Sequence, residues 1–257
     1  MNIFQNMIEL YNHLSPGSTY RFALKGILTH LNEACDASIY ELADLTSSSR
    51  TTIWRMLRML GYENYSDFRG ALRQAIRNYT YYNRVLGDRT DGVEQIVGRM
   101  AGQLETAARN VKTLLPAAEL SAMARRISEK DQVFFFFPYR SAAIHSFQQN
   151  LSMAGVGTHL ACLLPEMLEC AYQAGEHSFA FCSTIEYAET MDMTELFRAL
   201  REKKTEIALF AAGDSRYDRY ADHTLCKQEK HDGVLSSLLL YDMYIYALSE
   251  LFRNDYL

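Results

Sequence analysis

The chain has 257 residues, enough for one large domain or two modest ones, and 48% hydrophobic with 22% charged residues is typical of a globular protein rather than a disordered one. No apolar run approaches the ~20 residues that cross a bilayer, and the first ten residues, MNIFQNMIEL, lack the basic start of a signal peptide. We therefore expect a cytoplasmic protein. Its net charge of −5 limits nonspecific affinity for DNA.

The first two predicted helices end at recognisable stops. Residues 2–14 place apolar side chains at helical spacing, and the sequence SPGS then breaks the chain. Ser18 is placed to cap a second helix. The predicted buried stripe of that helix consists of Phe22, Leu24, Ile27, Leu28 and Leu31.

A short helix, a turn and a basic helix follow. SIYELADL predicts the short helix, and three serines at 47–49 separate it from RTTIWRMLRML, residues 50–60. Ser49 is placed as the N-cap of the basic helix, and Gly61 as its C-terminal stop. A fifth helix is predicted from about Tyr65 to Tyr79. Two helices joined by so short a turn predict a helix-turn-helix, whose second helix enters the major groove of DNA with its N-terminus first.

The basic helix has two unlike faces. At 100° per residue, Ile53, Met56, Leu57 and Leu60 fall on one side, and polar side chains fall on the other. Arginine can donate two bonds to guanine, threonine bonds base edges or phosphate, and a helix N-terminus attracts phosphate. The predicted DNA-binding residues are Ser49, Arg50, Thr51, Thr52, Trp54, Arg55 and Arg58. The alternatives are a solvated amphipathic helix and, for Trp54, packing against a neighbouring helix.

Charge is concentrated around this helix. Residues 46–84 carry seven arginines against Glu63 and Asp67, a local charge of +5, whereas residues 1–45 carry −3 and residues 85–257 carry −7. A basic patch on an acidic protein is what contact with a polyanion needs. Arg69, Arg73 and Arg77 repeat at four-residue spacing on the fifth helix, where they contact phosphates or face water.

The sequence pattern changes after residue 80. TYYNRVLGDRTDG, residues 80–92, is polar, so we predict one domain at 1–80, a linker at 81–92 and a second domain at 93–257. The predicted strands of the second domain are DQVFFFFP, VGTHLA, SFAFCS, TEIALFAAG and HTLCKQ. Apolar strands that alternate with helices indicate a parallel sheet covered by helices on both faces, so an all-α domain precedes an α/β domain.

The last predicted helix, about Gly233 to Asn254, is apolar almost all round. A helix without a wide polar face is buried against its own sheet, a partner subunit or both. Dimerisation through this helix is one hypothesis, and packing within its own domain is the other.

The reactive side chains form no recognisable catalytic or metal-binding pattern. The five cysteines include no C-x-x-C pair, and their odd number favours reduced, mostly buried thiols. The sequence has no Walker loop, metal-ligand cluster or nucleophile elbow. His177, Glu229 and His231 are available to an isomerase, but their spacing gives no acid/base pair. We expect no enzyme, no cofactor and no metal.

Residues 38–74, SIYELADLTSSSRTTIWRMLRMLGYENYSDFRGALRQ, resemble the N-terminal domain of the RpiR/MurR family of bacterial transcriptional regulators. That family tends to read S-I-x-E-L-A, then S-x-x-T-[VI]-x-R-x-x-x-x-L-G-[FY], then [YF]-x-[ED]-[FL], and this chain follows the pattern without gaps. The turn departs from it, because Ser47 and Ser48 replace the usual glycine and apolar residue. The resemblance implies a C-terminal sugar-isomerase-type (SIS) domain, an α/β/α sandwich that typically binds a phosphorylated sugar.

By the same resemblance, the ligand site lies in two loops. The first strand usually ends in a G-x-G-x-S-like turn that lets backbone amides approach a phosphate, and this chain has FPYRS, residues 137–141. A second loop, commonly S-x-S-G-x-[TS], corresponds roughly to FCSTIE, with Thr184 in place of the glycine and Glu186 in place of the final hydroxyl residue. The candidate ligand-binding residues are Arg140, Ser141, Ser183 and Thr184. Alternatively, the hydroxyl residues cap helices, Arg140 faces water, and Phe137 and Tyr139 fill the pocket.

Three functions stay open at this point. The first is a dimeric regulator that binds double-stranded DNA at a palindromic operator and is controlled by a phosphorylated sugar or related metabolite. The second is a sugar-phosphate isomerase with a helical appendage, against which the replaced glycines argue. The third is a regulator whose SIS-like domain only dimerises.

Overall fold

A computed structural model describes residues 3–82, 92–184, 192–228 and 234–257. The chain forms two compact units, one made chiefly of residues 1–83 and the other chiefly of residues 84–257. The predicted linker, residues 81–92, lies almost entirely outside the described residues, and its boundaries stay a prediction. None of the described helices is long and apolar enough to cross a membrane.

The first unit is helical throughout its described residues. Its helices are α1 (Ile3–His13), α2 (Thr19–Thr29), α3 (Leu31–Ala34), α4 (Ile39–Leu45), α5 (Arg50–Met59) and α6 (Tyr65–Tyr82). The prediction of four helices before residue 62 missed α3, because four residues are too few for hydrophobic periodicity to reveal. The fifth predicted helix, α6, also extends three residues beyond Tyr79.

The core of the first unit is built from one apolar stripe per helix. Met7, Leu24, Ile27, Leu42, Ile53, Met56, Leu57, Phe68 and Leu72 are all fully buried. Burying each such side chain contributes about 1.5–3 kcal/mol. The predicted stripe of α2 was wrong at Phe22, which is 58% exposed, because it lies ~140° around the helix from Ile27. Ala23 is buried in its place.

The turn between α4 and α5 closes in a Schellman motif. Ser47 has a positive φ of 49°, its N–H donates to Asp44, and the Ser48 N–H donates to Ala43 at 2.8 Å. The positive φ explains why the family prefers glycine here, and serine adopts it at some cost. Gly26 of α2 leaves room for this turn, since a Cβ there would lie 2.9 Å from the Thr46 methyl carbon.

From residue 93 onwards, helices and strands alternate. The elements are α7 (Val93–Leu114), α8 (Ala117–Ser128), β1 (Gln132–Phe136), α9 (Ala142–Met153), β2 (Gly157–Ala161), α10 (Leu164–Gln173), β3 (Ser178–Ser183), α11 (Thr194–Glu202), β4 (Glu206–Ala212), β5 (His223–Gln228) and α12 (Val234–Tyr256). A short 3-10 turn, Asp218–Tyr220, precedes β5. The described strands form one sheet in the order β2-β1-β3-β4-β5, and every pairing is parallel. The predicted α/β class is confirmed.

The two faces of the sheet are covered by different helices. Val133 and Phe135 of β1 pack in one cluster with buried residues of α8, α9 and α12. Because parallel crossovers are right-handed, α10, which returns from β2 to β3, lies on the opposite face from α9. Strand β3, at the centre, is buried at every residue, whereas β2 alternates as an edge strand does.

Helix α12 is a core helix of the second unit. It packs against α7, α8 and α9, and Tyr241, Tyr244 and Leu248 are at most 1% exposed. Packing within its own domain therefore explains most of its apolar surface. Met243 and Tyr246 stay on the surface, 46% and 38% exposed. All five cysteines are buried and free, as the sequence predicted.

Candidate nucleic-acid interface and switch-point crevice

Helix α5 has the two faces that the sequence predicted. Ile53, Met56 and Leu57 are fully buried, while Arg50, Thr51, Trp54, Arg55 and Arg58 are exposed. Packing therefore fixes the helix from one side and leaves the other side to a partner. Trp54 is 37% exposed, which leaves part of its ring on the polar face.

Ser49 caps the N-terminus of α5, as predicted. Its hydroxyl accepts from the Thr52 N–H at 3.0 Å and lies 2.9 Å from the Thr52 hydroxyl. No acidic side chain lies in the first turn of α5. The positive end of the helix dipole at Arg50 and Thr51 therefore faces no carboxylate of its own first turn.

The N-terminus of α4 is different. Ser38 and Glu41 form a capping box, in which the Ser38 N–H donates to the Glu41 carboxylate at 2.6 Å. The backbone and side-chain hydrogen bonds from Ser38 lower the pKa of Glu41, so its carboxylate is charged at neutral pH. This negative charge disfavours a phosphate at the start of α4 and leaves α5 as the attractive end.

The arginines of the first unit fall into two groups. In the part of the chain that the structure describes, Arg55 and Arg58 make no ion pair or hydrogen bond, so both guanidinium groups are available to a partner. Arg73 instead binds Asp36 at 2.7 Å and the Cys35 carbonyl at 3.2 Å. Arg73 therefore has a structural role, since it links α6 to the segment after α3.

The second unit has one topological switch point. After β1 the chain adds β2 on one side of β1, and it then returns to add β3 on the other side. In open parallel sheets, ligands bind in the crevice at such a point, which here lies between the carboxyl ends of β1 and β3. The two predicted ligand loops, which follow β1 and β3, both begin at this edge.

Two of the three candidate hydroxyl groups have internal partners. Ser141 caps α9 by accepting from the Ile144 N–H at 3.2 Å, and it also bonds the carboxyl group of Asp242, whose pKa burial raises despite that bond. Thr184 ties the end of β3 to β4, since its hydroxyl donates to the Phe210 carbonyl at 3.4 Å and its N–H donates to the same carbonyl at 3.0 Å. Arg140, in the loop before α9, is exposed.

Ser183 is the exception among the candidate hydroxyl groups. It is 1% exposed, and its hydroxyl has no hydrogen-bond partner among the described residues. On one side, Ser183 pairs in register with Phe210 of β4. On the other side, Phe136 of β1 pairs with Cys182, so the next residue, Phe137, lies beside Ser183. Strands β1 and β4 are two strand spacings apart, about 10 Å, yet the Phe137 and Phe210 rings lie 5.8 Å apart. The two rings therefore close over Ser183.

Aromatic side chains fill the region around this serine. The Tyr139 ring lies 5.6 Å from Phe137, and the Tyr241 and Tyr244 rings of α12 lie 4.8 Å and 5.4 Å from Phe210. Burial raises the pKa of both α12 tyrosines, so their hydroxyl groups stay neutral. Sequence reasoning missed Tyr241, Tyr244 and Asp242 as neighbours of the crevice, because α12 was interpreted only as an apolar helix.

Of the residues considered for isomerase chemistry, His177 lies within the described part of the chain, and it lies away from the crevice. His177 directly precedes β3, at the amino end of the strand and the opposite edge of the sheet, and it is exposed. Glu186, Glu229 and His231 lie outside the described residues. Across the described ranges, no group of three or more histidine, cysteine or carboxylate side chains is placed to hold a metal ion.

Comparison with protein families decides the identity of the first unit. The family model described as "Helix-turn-helix domain, rpiR family" matches residues 2–79, which include both capped helices and the exposed face of α5. Residues 2–79 are a helix-turn-helix domain of the rpiR family. A helix-turn-helix of this family is a DNA-binding domain, so the first unit is the DNA-binding part of the chain.

The fold of the second unit is similar to that of a solved sugar isomerase domain. The sugar isomerase domain of an RpiR transcription factor from Sphaerobacter thermophilus is 12% identical, covers 64% of this chain and 92% of its own, and has a TM-score of 0.51. NanR from Vibrio vulnificus, solved with ManNAc-6P, is 17% identical over 98% of this chain and 92% of its own, with a TM-score of 0.49. A protein named as a sugar-phosphate isomerase from Listeria monocytogenes is 10% identical over 64% and 92%, with a TM-score of 0.47. Comparison with curated proteins found no match.

Proposed function

We propose that the protein is a dimeric transcriptional regulator, which binds operator DNA through α5 and responds to a phosphorylated sugar or a related metabolite in its second unit. The observation that carries the proposal is the polar face of α5. It presents Arg55 and Arg58, which have no partners among the described residues, on a capped helix whose other face is fully buried in an rpiR-family domain.

DNA binding by α5 follows the usual geometry of a helix-turn-helix. The N-terminal residues of the helix lie closest to the base edges, so Arg50, Thr51, Arg55 and Arg58 face the major groove or the phosphates beside it. Ser49 and Thr52 bond each other, and their role is to hold the cap. A twofold dimer then requires a palindromic operator, with half-sites one helical turn or a multiple of it apart.

Helix α7 offers a surface for a second copy of the chain. Its C-terminal half packs on the core through Ala107, Val111 and Leu114. The same stripe continues towards the N-terminus, where its apolar members are exposed. These members are Val93 (75%), Ile96 (38%), Val97 (59%), Met100 (45%) and Leu104 (57%). An apolar stripe three turns long is costly in water and is buried when two helices pair across a twofold axis.

The crevice between β1 and β3 is the proposed effector site. Arg140 supplies positive charge at its mouth, and Ser183 holds an unsatisfied hydroxyl in its floor. Effector and operator affect each other only if the effector binds the DNA-bound and DNA-free states with different affinity, and the coupling is then reciprocal.

A second candidate function is supported by the aromatic closure. Because Phe137 and Phe210 meet over Ser183, the rings separate this hydroxyl from a sugar phosphate at the edge of the sheet. In this reading the SIS-like domain serves only to dimerise. Isomerase chemistry is supported less, since it needs a base beside the substrate carbon and His177 lies at the opposite edge.

Thermal melting with and without sugar phosphates separates the two readings. The probes are ManNAc-6P, glucose 6-phosphate and inorganic phosphate, each with the wild type and with Arg140→Ala. We expect one sugar phosphate to raise Tm, to change DNA affinity in the same concentration range, and to lose both effects with Arg140→Ala. DNA binding that no probe alters, together with an unchanged Tm, would favour the dimerisation scaffold.

A further inference from the structure

One exposed aromatic side chain lies against the basic face of α5 without belonging to α5. Tyr40, in the first turn of α4, is 62% exposed, and the guanidinium carbon of Arg50 lies 4.4 Å from the centre of its ring. The pair joins the first turns of the two helices of the helix-turn-helix. Such a cation–π contact attracts a guanidinium and restrains an otherwise freely rotating side chain.

The stack leaves the hydrogen-bonding edge of Arg50 open. A guanidinium has five N–H donors in one plane, so a ring against its face leaves the donors at its rim free. Arg50 is exposed, and within the described residues its contact with Tyr40 is a stacking contact rather than a hydrogen bond. The side chain is therefore both restrained and able to donate.

The direction of the stack indicates what Arg50 donates to. In a helix-turn-helix the first helix crosses the DNA backbone, while the second enters the groove. The Arg50 side chain turns from α5 towards α4, and hence towards the backbone side. A phosphate beside Arg50 would not bind at the N-terminus of α4, because the Glu41 carboxylate already accepts the Ser38 N–H there.

We propose that Tyr40 is a positioning residue of the DNA-binding surface, whose ring holds the Arg50 guanidinium beside a phosphate of the DNA backbone. The proposal rests on the proposed binding of DNA by α5. It assigns Arg50 to phosphate contact and leaves base reading to the other exposed residues of α5, Thr51, Arg55 and Arg58. Phosphate contacts fix register and add affinity without sequence preference.

The test measures binding of the full-length wild type, Tyr40→Ala, Tyr40→Phe, Arg50→Ala and the Tyr40→Ala/Arg50→Ala double variant. The probes are a duplex selected from random-sequence DNA by the wild type and single-base variants of that duplex, each over a salt series. Far-UV circular dichroism and Tm establish that every variant is folded.

We expect Tyr40→Phe to bind within about twofold of the wild type, because phenylalanine keeps a ring face for the cation. Tyr40→Ala should weaken binding about three- to tenfold on every duplex alike. Arg50→Ala should also weaken binding uniformly and lower the salt slope by about 1, the change expected for one lost phosphate contact. In the Arg50→Ala background, Tyr40→Ala should have no further effect.

Each other outcome overturns the proposal in a distinguishable way. Equal losses with Tyr40→Ala and Tyr40→Phe would assign the role to the hydroxyl group. If Tyr40→Ala weakened binding as much in the Arg50→Ala background as in the wild type, the tyrosine would act independently of Arg50. If Arg50→Ala changed the preference at one base pair, Arg50 would contact a base rather than a phosphate. A wild type that selects no duplex would overturn the proposed function and this inference together, whereas a selective wild type with an unaffected Tyr40→Ala would overturn this inference alone.

Discussion

Ser47 occupies a turn position at which glycine is usual. Its φ of 49° lies in the left-handed region, which costs a residue with a Cβ about 1–2 kcal/mol. The Schellman bonds of Ser47 and Ser48 to the end of α4 hold it there. The Schellman turn is therefore formed with serine in the position where the family usually has glycine.

Replacing Ser47 with glycine should stabilise the first unit. We expect Ser47→Gly to raise the free energy of unfolding by about 0.5–1 kcal/mol, since the relief of left-handed strain exceeds the extra backbone entropy that glycine brings to the unfolded chain. Urea unfolding followed by the fluorescence of Trp54, the single tryptophan, reports on this unit. Ser48→Gly is the matched control. Its φ is not positive, and it should give no gain; a gain of equal size there would contradict the strain argument.

The two serines at the ends of β3 form a second matched pair. Ser178 is buried, and its hydroxyl accepts from the Gly175 N–H at 3.1 Å. Ser183 is equally buried, and its hydroxyl has no partner among the described residues. A buried hydroxyl without a partner carries the cost of desolvation without a compensating bond.

We expect opposite effects from the two alanine substitutions. Ser178→Ala should lower the free energy of unfolding of the second unit by about 1–2 kcal/mol, because the buried Gly175 N–H loses its acceptor. Ser183→Ala should leave that free energy unchanged or raise it by up to about 1 kcal/mol. Calorimetry of the full chain measures both. Strong destabilisation by Ser183→Ala would indicate a hydrogen bond that the structure does not contain.

At the scale of elements, local chemistry allowed most helices and all five described strands to be predicted. Caps such as Ser49 and stops such as Gly61 act within one turn, so the sequence displays them directly. The predicted burial of Phe22 was wrong, because the predicted apolar stripe of α2 included residues too far apart around the helix. The closure of Phe137 and Phe210 over Ser183 could not be predicted, because it depends on the strand order and on residues 73 positions apart meeting on one face.

Helix α7 carries the prediction that belongs to this scale. Met100→Glu places a charge in the exposed apolar stripe, and it should weaken the dimer by at least about tenfold, or 1.4 kcal/mol, because an unpaired charge resists burial. Gly102→Glu adds the same charge on the opposite side of the helix, where a side chain has open space, and should leave the dimer intact. Sedimentation velocity measures both. Equal behaviour of the two variants would exclude this face as the interface.

At the scale of the whole molecule, the chain joins a helix-turn-helix unit of the rpiR family to an α/β unit with a parallel sheet. Seven arginines between residues 46 and 84 give this segment a local charge of +5 in a protein of net charge −5. Affinity for DNA therefore depends strongly on this patch and falls steeply with salt. Any control by an effector has to act by changing that affinity, in the reciprocal manner that linkage requires.

The measurement that tests the central claim most directly is a gel shift over a salt series, with genomic fragments that include the DNA flanking the protein's own gene. It compares the wild type with Arg55→Ala, Arg58→Ala and Arg125→Ala. Arg125, in α8, is 80% exposed and serves as a control for the loss of one charge outside the DNA-binding unit. We predict sequence-selective binding by the wild type, unchanged by Arg125→Ala, and a loss of about 1–3 kcal/mol with Arg55→Ala or Arg58→Ala. A folded wild type that binds no fragment at low salt, or selective binding that survives both α5 substitutions, would contradict the account.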